Sequence, residues 1–429
     1  MKDEGVPKSR LVRLGKLAAL GARTGASLLT SRDGSGAAES ATRVLGQMRG
    51  LAAKVGQMAS YVDGVVPEAH REAYEATLSR LRAAAPTSSF EAVRRTVEED
   101  LEAPLDRLFS SFEEAPFASA SIGQVHRATL EDGRAVAVKV QHEGIHEAVE
   151  ADLSNASVLQ SVAGVAAGKF GSKAIFERVR TRFREELDYR IEAKHLSTFR
   201  DFHAGDPKIH IPELMVDRSG ARVLTTELVR GRTFEEAITD DEASKRAYAE
   251  TLWRFVFRGN LVLGLFNADP HPGNYLFGED GVVTFLDFGC CEPLSGAHHS
   301  AARRMHAAAI RKDDATFRTH ARVLLETKPG RYEDFALDYS RRCFEPLFGS
   351  PFRLTRKYAA SLVEEAQEMK KLLLQRNANV TPLPAGMVLV NRLQFGFYSV
   401  LARFDVEVDY AAVERAFFLD TDWGRELLG

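Results

Sequence analysis

The order of hydrophobic patterns along this chain predicts an α+β protein of two lobes. Helical periodicity comes first, short β-rich runs begin near residue 109, and helical patterns fill the chain from about residue 295 onward. At 429 residues the chain suffices for one large domain or two to three smaller ones.

Residues 30–40 (TSRDGSGAAES) are small and polar and read as a linker after a first segment, 1–40. An amphipathic helix is expected over 41–64, with Leu45, Met48, Ala52, Val55, Ala59 and Val62 on one stripe. Lys54 and Gln57 share a second face, and Gly56 between them weakens the helix. A second helix is bracketed by Pro67 and Pro86. Ser88 or Ser89 caps a third, running to about Leu101. Residues 41–105 thus form a helical extension ahead of any strand.

Five runs then predict an antiparallel sheet: LFSSFEE, SIGQVHRATL, RAVAVKVQ, KIHIPEL and ARVLTTELV. The Glu131-Asp132-Gly133 turn joins the second and third as a hairpin. Helices are expected at 145–168 and 173–203 between the third and fourth runs. Thr239 with Glu242 signals a capped helix to about Val262, and NYLFGEDGVVTFLDFG reads as a hairpin. These patterns divide the remainder into 106–229, strand-rich with inserted helices, and 230–429, mostly helical.

Composition narrows the class. Hydrophobic residues are 45% and charged residues 27%, as in soluble globular proteins, and a net charge of −3 gives no reason to expect nucleic acid. Of the three cysteines, Cys290 and Cys291 are adjacent and Cys343 is distant, so no disulfide framework is expected and a reducing, cytoplasmic setting fits. No run of roughly 18 apolar residues predicts a membrane span. Asp3 and Glu4 argue against a cleaved targeting peptide. Residues 5–32 carry Lys8, Arg10, Arg13, Lys16, Arg23 and Arg32 and no acid, with Leu11, Leu14, Ala18 and Ala22 on one helical face. That pattern suits peripheral attachment to an anionic membrane surface, and equally a frayed terminus or a segment packed on the body.

Three motifs carry chemistry. Lys139 lies in the apolar strand run AVAVKVQ, Asp269 and Asn274 stand five apart in FNADPHPGN, and Asp287-Phe288-Gly289 follows an apolar run. A strand lysine, then Asp-x-x-x-x-Asn, then Asp-Phe-Gly is the order of the protein-kinase signatures. Lys139 is suited to the α- and β-phosphates of ATP, Asn274 and Asp287 to Mg²⁺, and Asp269 to the catalytic loop. A carboxylate must hold Lys139; Glu185, Glu186, Asp188 and Glu192 are all candidates, and their spacing selects none. The sequence lacks two ordinary features. FNAD stands where His-Arg-Asp is usual, and PFASASIGQVH, with Gly123 its only glycine, replaces a glycine-rich phosphate loop.

Lys54-Val55-Gly56-Gln57, the alanine-rich stretch Ala118-Ser119-Ala120-Ser121, Glu186-Leu187-Asp188, ADPHPGN and LDFG together resemble the UbiB/AarF family of atypical kinases, from about residue 41 to at least 310. Ser119 departs from the usual Ala-Ala-Ala-Ser loop. The resemblance implies an atypical protein-kinase-like two-lobed fold with an N-terminal helical extension over the substrate cleft and extra C-terminal helices. It implies that Lys54 and Gln57 engage Glu186 and Asp188, and that Glu192 partners Lys139. By analogy Thr226 is the gatekeeper, and Glu227 and Val229 offer backbone groups to adenine. The implied activity is an ATP- and Mg²⁺-dependent kinase or ATPase in ubiquinone or isoprenoid-lipid metabolism, with a quinone or isoprenoid lipid and a homodimer as candidate partners. The alternatives are a small-molecule kinase of the aminoglycoside or choline type and a nucleotide-gated scaffold with little turnover.

Overall fold

A computed structural model describes residues 88–429 apart from 121, 154–180, 182–183, 295, 327–328 and 374–395. The basic segment, most of the helical extension, Lys54, Gln57 and Ser121 lie outside the described residues. The chain divides into two compact units: residues up to Lys194 with Glu213–Leu228, and His195–Pro212 with Val229–Gly429.

The first unit begins with helix α1 (Phe90–Asp100), capped by the Ser89 hydroxyl as the sequence predicts, and a short α2 (Leu105–Leu108). Its sheet holds β1 (Ser111–Phe112), β2 (Ala118–Ser119), β3 (Gly123–Thr129), β4 (Ala135–Gln141) and β6 (Val223–Glu227), all antiparallel. Alternation in AVAVKVQ buries Val136, Val138 and Val140 completely. They share a core with Val93 and Val97 of α1 and with Leu105, Leu108, Phe109, Met215 and Val223. Gly123 is dictated by strand approach, since a Cβ there would lie 2.3 Å from the Val140 carbonyl oxygen.

Helix α3 (Ile145–Leu153) starts the first predicted helical stretch. The second expected helix, 173–203, is not continuous. Glu186 and Leu187 form a turn, and α4 starts afresh at Tyr189 and runs to His203. Asp188 causes the break: its Oδ1 accepts the Arg190 N–H at 3.1 Å, an N-cap bond that a continuous helix would not permit.

The second unit is organised on α6 (Glu242–Arg258), which buries Tyr248, Leu252, Trp253, Phe255, Val256 and Phe257. The predicted hairpin is present as β8 (Tyr275–Phe277) and β9 (Val283–Phe285), and Phe255 stacks on Phe285 at 3.6 Å. β5 (Ile209–His210), expected in the five-stranded sheet, instead pairs in parallel with β9; Ala118–Ser119 supplies the fifth strand of the first sheet. β7 (Leu265–Asn267) pairs with β10 (Cys291–Pro293).

Both ends of α6 also differ from expectation. Asp241, not Thr239, caps α6, because its Oδ1 reaches the N–H groups of Ala243 and Ser244 at 2.9 and 3.0 Å. The capping box lies earlier, at Thr233 and Glu236, on α5 (Phe234–Ala237). The α-helix ends at Arg258 and continues as one π-turn, Gly259–Leu263, closed by Gly264 at φ +75°. Among the described residues after 295 the chain is mainly helical, and Phe352–Arg353 pairs antiparallel with Glu407–Val408. Within it the buried Glu414 accepts hydrogen bonds from Trp253 Nε1 at 2.9 Å and His306 Nδ1 at 2.8 Å, tying three helices together.

His203, 2% exposed, lies against Phe199 and Phe255. Burial, with the nearby Arg258 cation, pushes its pKa down to about 3. The unfolded chain protonates this imidazole near 6.5 and the folded chain only near 3, so the stability it contributes is complete above 6.5 and is lost as pH falls towards 3. By pH 5 the loss is about 2 kcal/mol. Urea unfolding of the wild type and His203→Phe at pH 7 and 5 should show a smaller fall in the variant; equal falls would show that another group governs this range.

Candidate active site

In the first unit, strand β4 presents Lys139 with its Nζ 2.9 Å from both carboxylate oxygens of Glu192 on α4. Of the four candidate acids, Glu192 makes this bidentate contact. It is buried, Lys139 is 19% exposed along its side chain, and the ammonium lies 5.0 Å from the Tyr189 ring centroid. Taking both charges out of water costs several kcal/mol each, offset here by a bidentate contact at short range.

The start of α4 is fixed by a residue that sequence reading passed over. Gln141, 3% exposed, donates from Nε2 to the Leu187 carbonyl at 2.9 Å, and the Tyr189 N–H donates to the Ala221 carbonyl at 2.8 Å. The Glu186–Asp188 turn is thereby tied to the strand that carries Lys139. Asp188 also holds Arg190 with two bonds of 2.8 Å, and that guanidinium keeps its carboxyl below the usual range. Glu186 is half-buried in the same turn.

The described part of the alanine-rich stretch folds back on β3 as one arm of a hairpin. Ala118 and Ser119 are exposed on β2, in register with Val125 and Gln124, and the Ala120 N–H is spent on the Gly123 carbonyl at 2.9 Å. That N–H is not on offer to a phosphate. Thr226 lies opposite Ala137 in β4. The Glu227 N–H donates to the Glu213 carbonyl at 2.8 Å, and the Leu228 N–H, just before Val229, donates to the Ala135 carbonyl at 3.1 Å.

In the second unit, Asn274 immediately precedes β8 and Asp287 closely follows β9, so the antiparallel pairing brings both to one end of the hairpin. The Leu286 N–H donates to the Asn274 carbonyl at 2.9 Å. Asn274 Nδ2 donates to the Asp269 carbonyl at 3.2 Å, which leaves the amide oxygen as its ligating atom. Asp287 Oδ1 accepts the Gly289 N–H at 2.9 Å. Asn267, also passed over, joins the two loops: its Nδ2 donates to the Asp287 carbonyl at 2.9 Å and its Oδ1 accepts the Asp269 N–H at 3.2 Å. Its place two residues before Asp269, where a kinase has histidine, was the available signal. His271 caps the turn Pro272–Asn274, accepting the Gly273 N–H on Nδ1 at 3.0 Å. Phe288 is fully buried beside Phe199, and its carbonyl accepts from His195 Nδ1 at 3.2 Å.

An amide oxygen and a carboxylate at one hairpin end form a hard-oxygen donor pair, the chemistry that suits Mg²⁺ with water and phosphate completing the shell. No cluster of three or more His, Cys, Asp or Glu side chains fit to hold a metal occurs among the described residues.

Comparison with known proteins supports a kinase-like reading. The family described as the ABC1 atypical kinase-like domain matches residues 80–321. Atypical kinase COQ8B, mitochondrial, of Danio rerio is 31% identical over 91% of this chain and 61% of its own length. Atypical kinase coq-8, mitochondrial, of Caenorhabditis elegans is 32% identical over 57% of this chain and 32% of its own length. The chain therefore spans between about a third and three fifths of these relatives. Among solved structures, the Rv3197–erythromycin complex from Mycobacterium tuberculosis aligns with a TM-score of 0.60 at 28% identity, covering 87% of this chain and 93% of that one.

Replacing Glu192 by Leu leaves the Lys139 ammonium in a largely dry site and should cost about 3 kcal/mol. Replacing both, Lys139→Met with Glu192→Leu, should recover most of that loss, because no charge is then stranded. Urea unfolding of the two variants checks this; a double variant as unstable as the single one would mean that packing, not charge, dominates.

Proposed function

The chain belongs to the ABC1 atypical kinase-like family, and on that premise we propose that it is a Mg²⁺-dependent ATP-binding phosphotransferase or ATPase. The observation that carries the reading is the Lys139–Glu192 pair, a bidentate ion pair built into an apolar strand at a desolvation cost that packing alone does not require. On this reading Lys139 neutralises the α- and β-phosphates, with Glu192 holding its ammonium in place. Asn274 and Asp287 hold Mg²⁺, which when bound supplies charge neutralisation on the phosphates. Asp269 stands in the catalytic loop and orients the attacking hydroxyl or water. The Asn267 bonds keep the Asp269 and Asp287 loops in one register, the preorganisation that phosphoryl transfer depends on.

The alanine-rich hairpin supports a nucleotide pose unlike that under a glycine-rich loop, because the Ala120 N–H is occupied. Glu227 and Val229 are assigned to the adenine edge, Glu227 through a group other than its N–H. Lys54 and Gln57 are assigned to engage Glu186 and Asp188. The acceptor chemistry is assigned to quinone or isoprenoid-lipid metabolism on the motif set Lys54–Gln57 and Glu186–Asp188, which an aminoglycoside- or choline-type kinase does not share. The basic residues of 5–32 make an anionic membrane surface a further partner. Among the described residues no helix is long and apolar enough to cross a membrane.

Asp287→Asn should abolish Mg²⁺-dependent ATP binding in titration calorimetry while its thermal unfolding stays close to wild type, and Asn274→Ala should weaken binding less. ATP affinity unchanged by Asp287→Asn would remove the kinase reading. Quinones and their precursors should shift in a deletion strain, and an unaltered profile would refute the assigned pathway. Removing residues 1–35 should eliminate salt-sensitive binding to anionic vesicles; equal binding by both proteins would assign the membrane contact elsewhere.

A further inference from the structure

Beside the alanine-rich hairpin, in the first unit, lies a closed ring of buried and half-buried polar groups that none of the roles above uses. Gln124, 1% exposed, follows Gly123 directly, at the inner end of the hairpin. Its Oε1 accepts the Ser88 N–H at 2.7 Å and its Nε2 donates to the Ser88 carbonyl at 3.3 Å, so one side chain pairs with a backbone as a strand neighbour would. Nε2 also meets His126 Nε2 at 2.9 Å. The other ring nitrogen, Nδ1, is 2.8 Å from the Glu113 carbonyl, which can only accept. Nδ1 therefore carries the proton and Nε2 accepts from Gln124. His126 is fully buried, and burial lowers its pKa, in keeping with a neutral ring.

The ring closes through the hairpin itself. Ser88 Oγ is 2.9 Å from His142 Nδ1, and the His142 N–H donates to the Ile122 carbonyl at 2.9 Å. Ile122 and His142 are both buried. Ser88 thus reaches the hairpin along two routes, through Gln124 to its returning strand and through His142 to its apolar corner. Burying this many polar atoms beside an apolar sheet is costly unless each bond is made, and Val or Leu would fill the same space without that cost. What the ring supplies beyond burial is a fixed hairpin backbone on an otherwise exposed β2.

We propose that Gln124, clamped by Ser88 and His126, is a positioning residue that sets the alanine-rich hairpin and through it the affinity for the nucleotide phosphates. The inference rests on the reading that this hairpin faces ATP. Without the clamp the hairpin must be ordered by the ligand at each binding event, so affinity falls while the groups acting on the phosphates stay unchanged.

The test is the Kd for Mg²⁺·ATP by titration calorimetry, with turnover and melting temperature, in the full chain. Gln124→Met keeps the volume and removes the bonds; its Kd should rise about five- to tenfold, with turnover at saturating ATP within about twofold of wild type. His126→Gln offers Gln124 an amide oxygen and Glu113 an amide N–H, and should retain wild-type Kd. Should Gln124→Met fail to fold, Ser88→Ala removes only a hydroxyl from a half-buried residue and should raise Kd about two- to threefold. A lowered melting temperature with wild-type Kd in either variant overturns the clamp and leaves the kinase reading standing. A wild-type protein that binds no ATP overturns both.

Discussion

A lysine inside an apolar strand must be given a counter-charge, and that requirement organises the first unit. Lys139 alternates with Val138 and Val140 on β4, so its backbone belongs to the core while its ammonium does not. Glu192 supplies the carboxylate, which obliges α4 to begin at a fixed height beside the sheet. Asp188 provides the cap that starts the helix there, and Gln141, two residues along β4 from Lys139, holds the Leu187 carbonyl of the preceding turn. Ion pair, helix start and turn are thus one construction. A change in any member shifts the others by way of a buried group that has lost its partner.

The second unit solves a different problem, the placement of acidic and amide side chains on loops. An antiparallel hairpin brings its two ends together whatever lies between them, and Asn274 and Asp287 occupy those ends. Asn267 then ties the Asp269 loop to the Asp287 loop through a single amide that donates to one and accepts from the other. Phe288, buried beside Phe199 and held at its carbonyl by His195, anchors the loop from the apolar side. Loops with few internal bonds are otherwise the more mobile part of a fold. Here Asp269, Asn274 and Asp287 each sit one or two positions from a strand end.

Departures from ordinary kinase sequence have local physical readings. Gly123, the single glycine of the alanine-rich stretch, stands where a Cβ would run into the Val140 carbonyl, and the Ala120 N–H is spent on the Gly123 carbonyl. Asn267 in place of histidine does its joining work with an amide. In both places the polar groups are satisfied within the protein, the Ala120 N–H inside its hairpin and the Asn267 amide between two loops.

Much of this was legible in the sequence because it depends on local pattern. Alternation in AVAVKVQ, the Ser89 cap, the Glu131–Gly133 turn and the β8–β9 hairpin are set by neighbours within a few residues, and the order of Lys139, Asp269, Asn274 and Asp287 needs no coordinates to be seen. What only the tertiary structure decided involves partners far apart in the chain. Four acids competed for Lys139, and choosing Glu192 depends on where α4 starts, which Asp188 and Gln141 settle across about fifty residues. Ile209–His210 has the composition of a strand in either sheet, and pairing with β9 was decided by long-range packing. Gln124 and Gln141 look like ordinary polar residues in a strand until burial leaves their amides no water to bond. Sequence fixes which groups carry charge or hydrogen-bonding capacity; only the fold removes the solvent that would otherwise satisfy them, and so determines which must find each other.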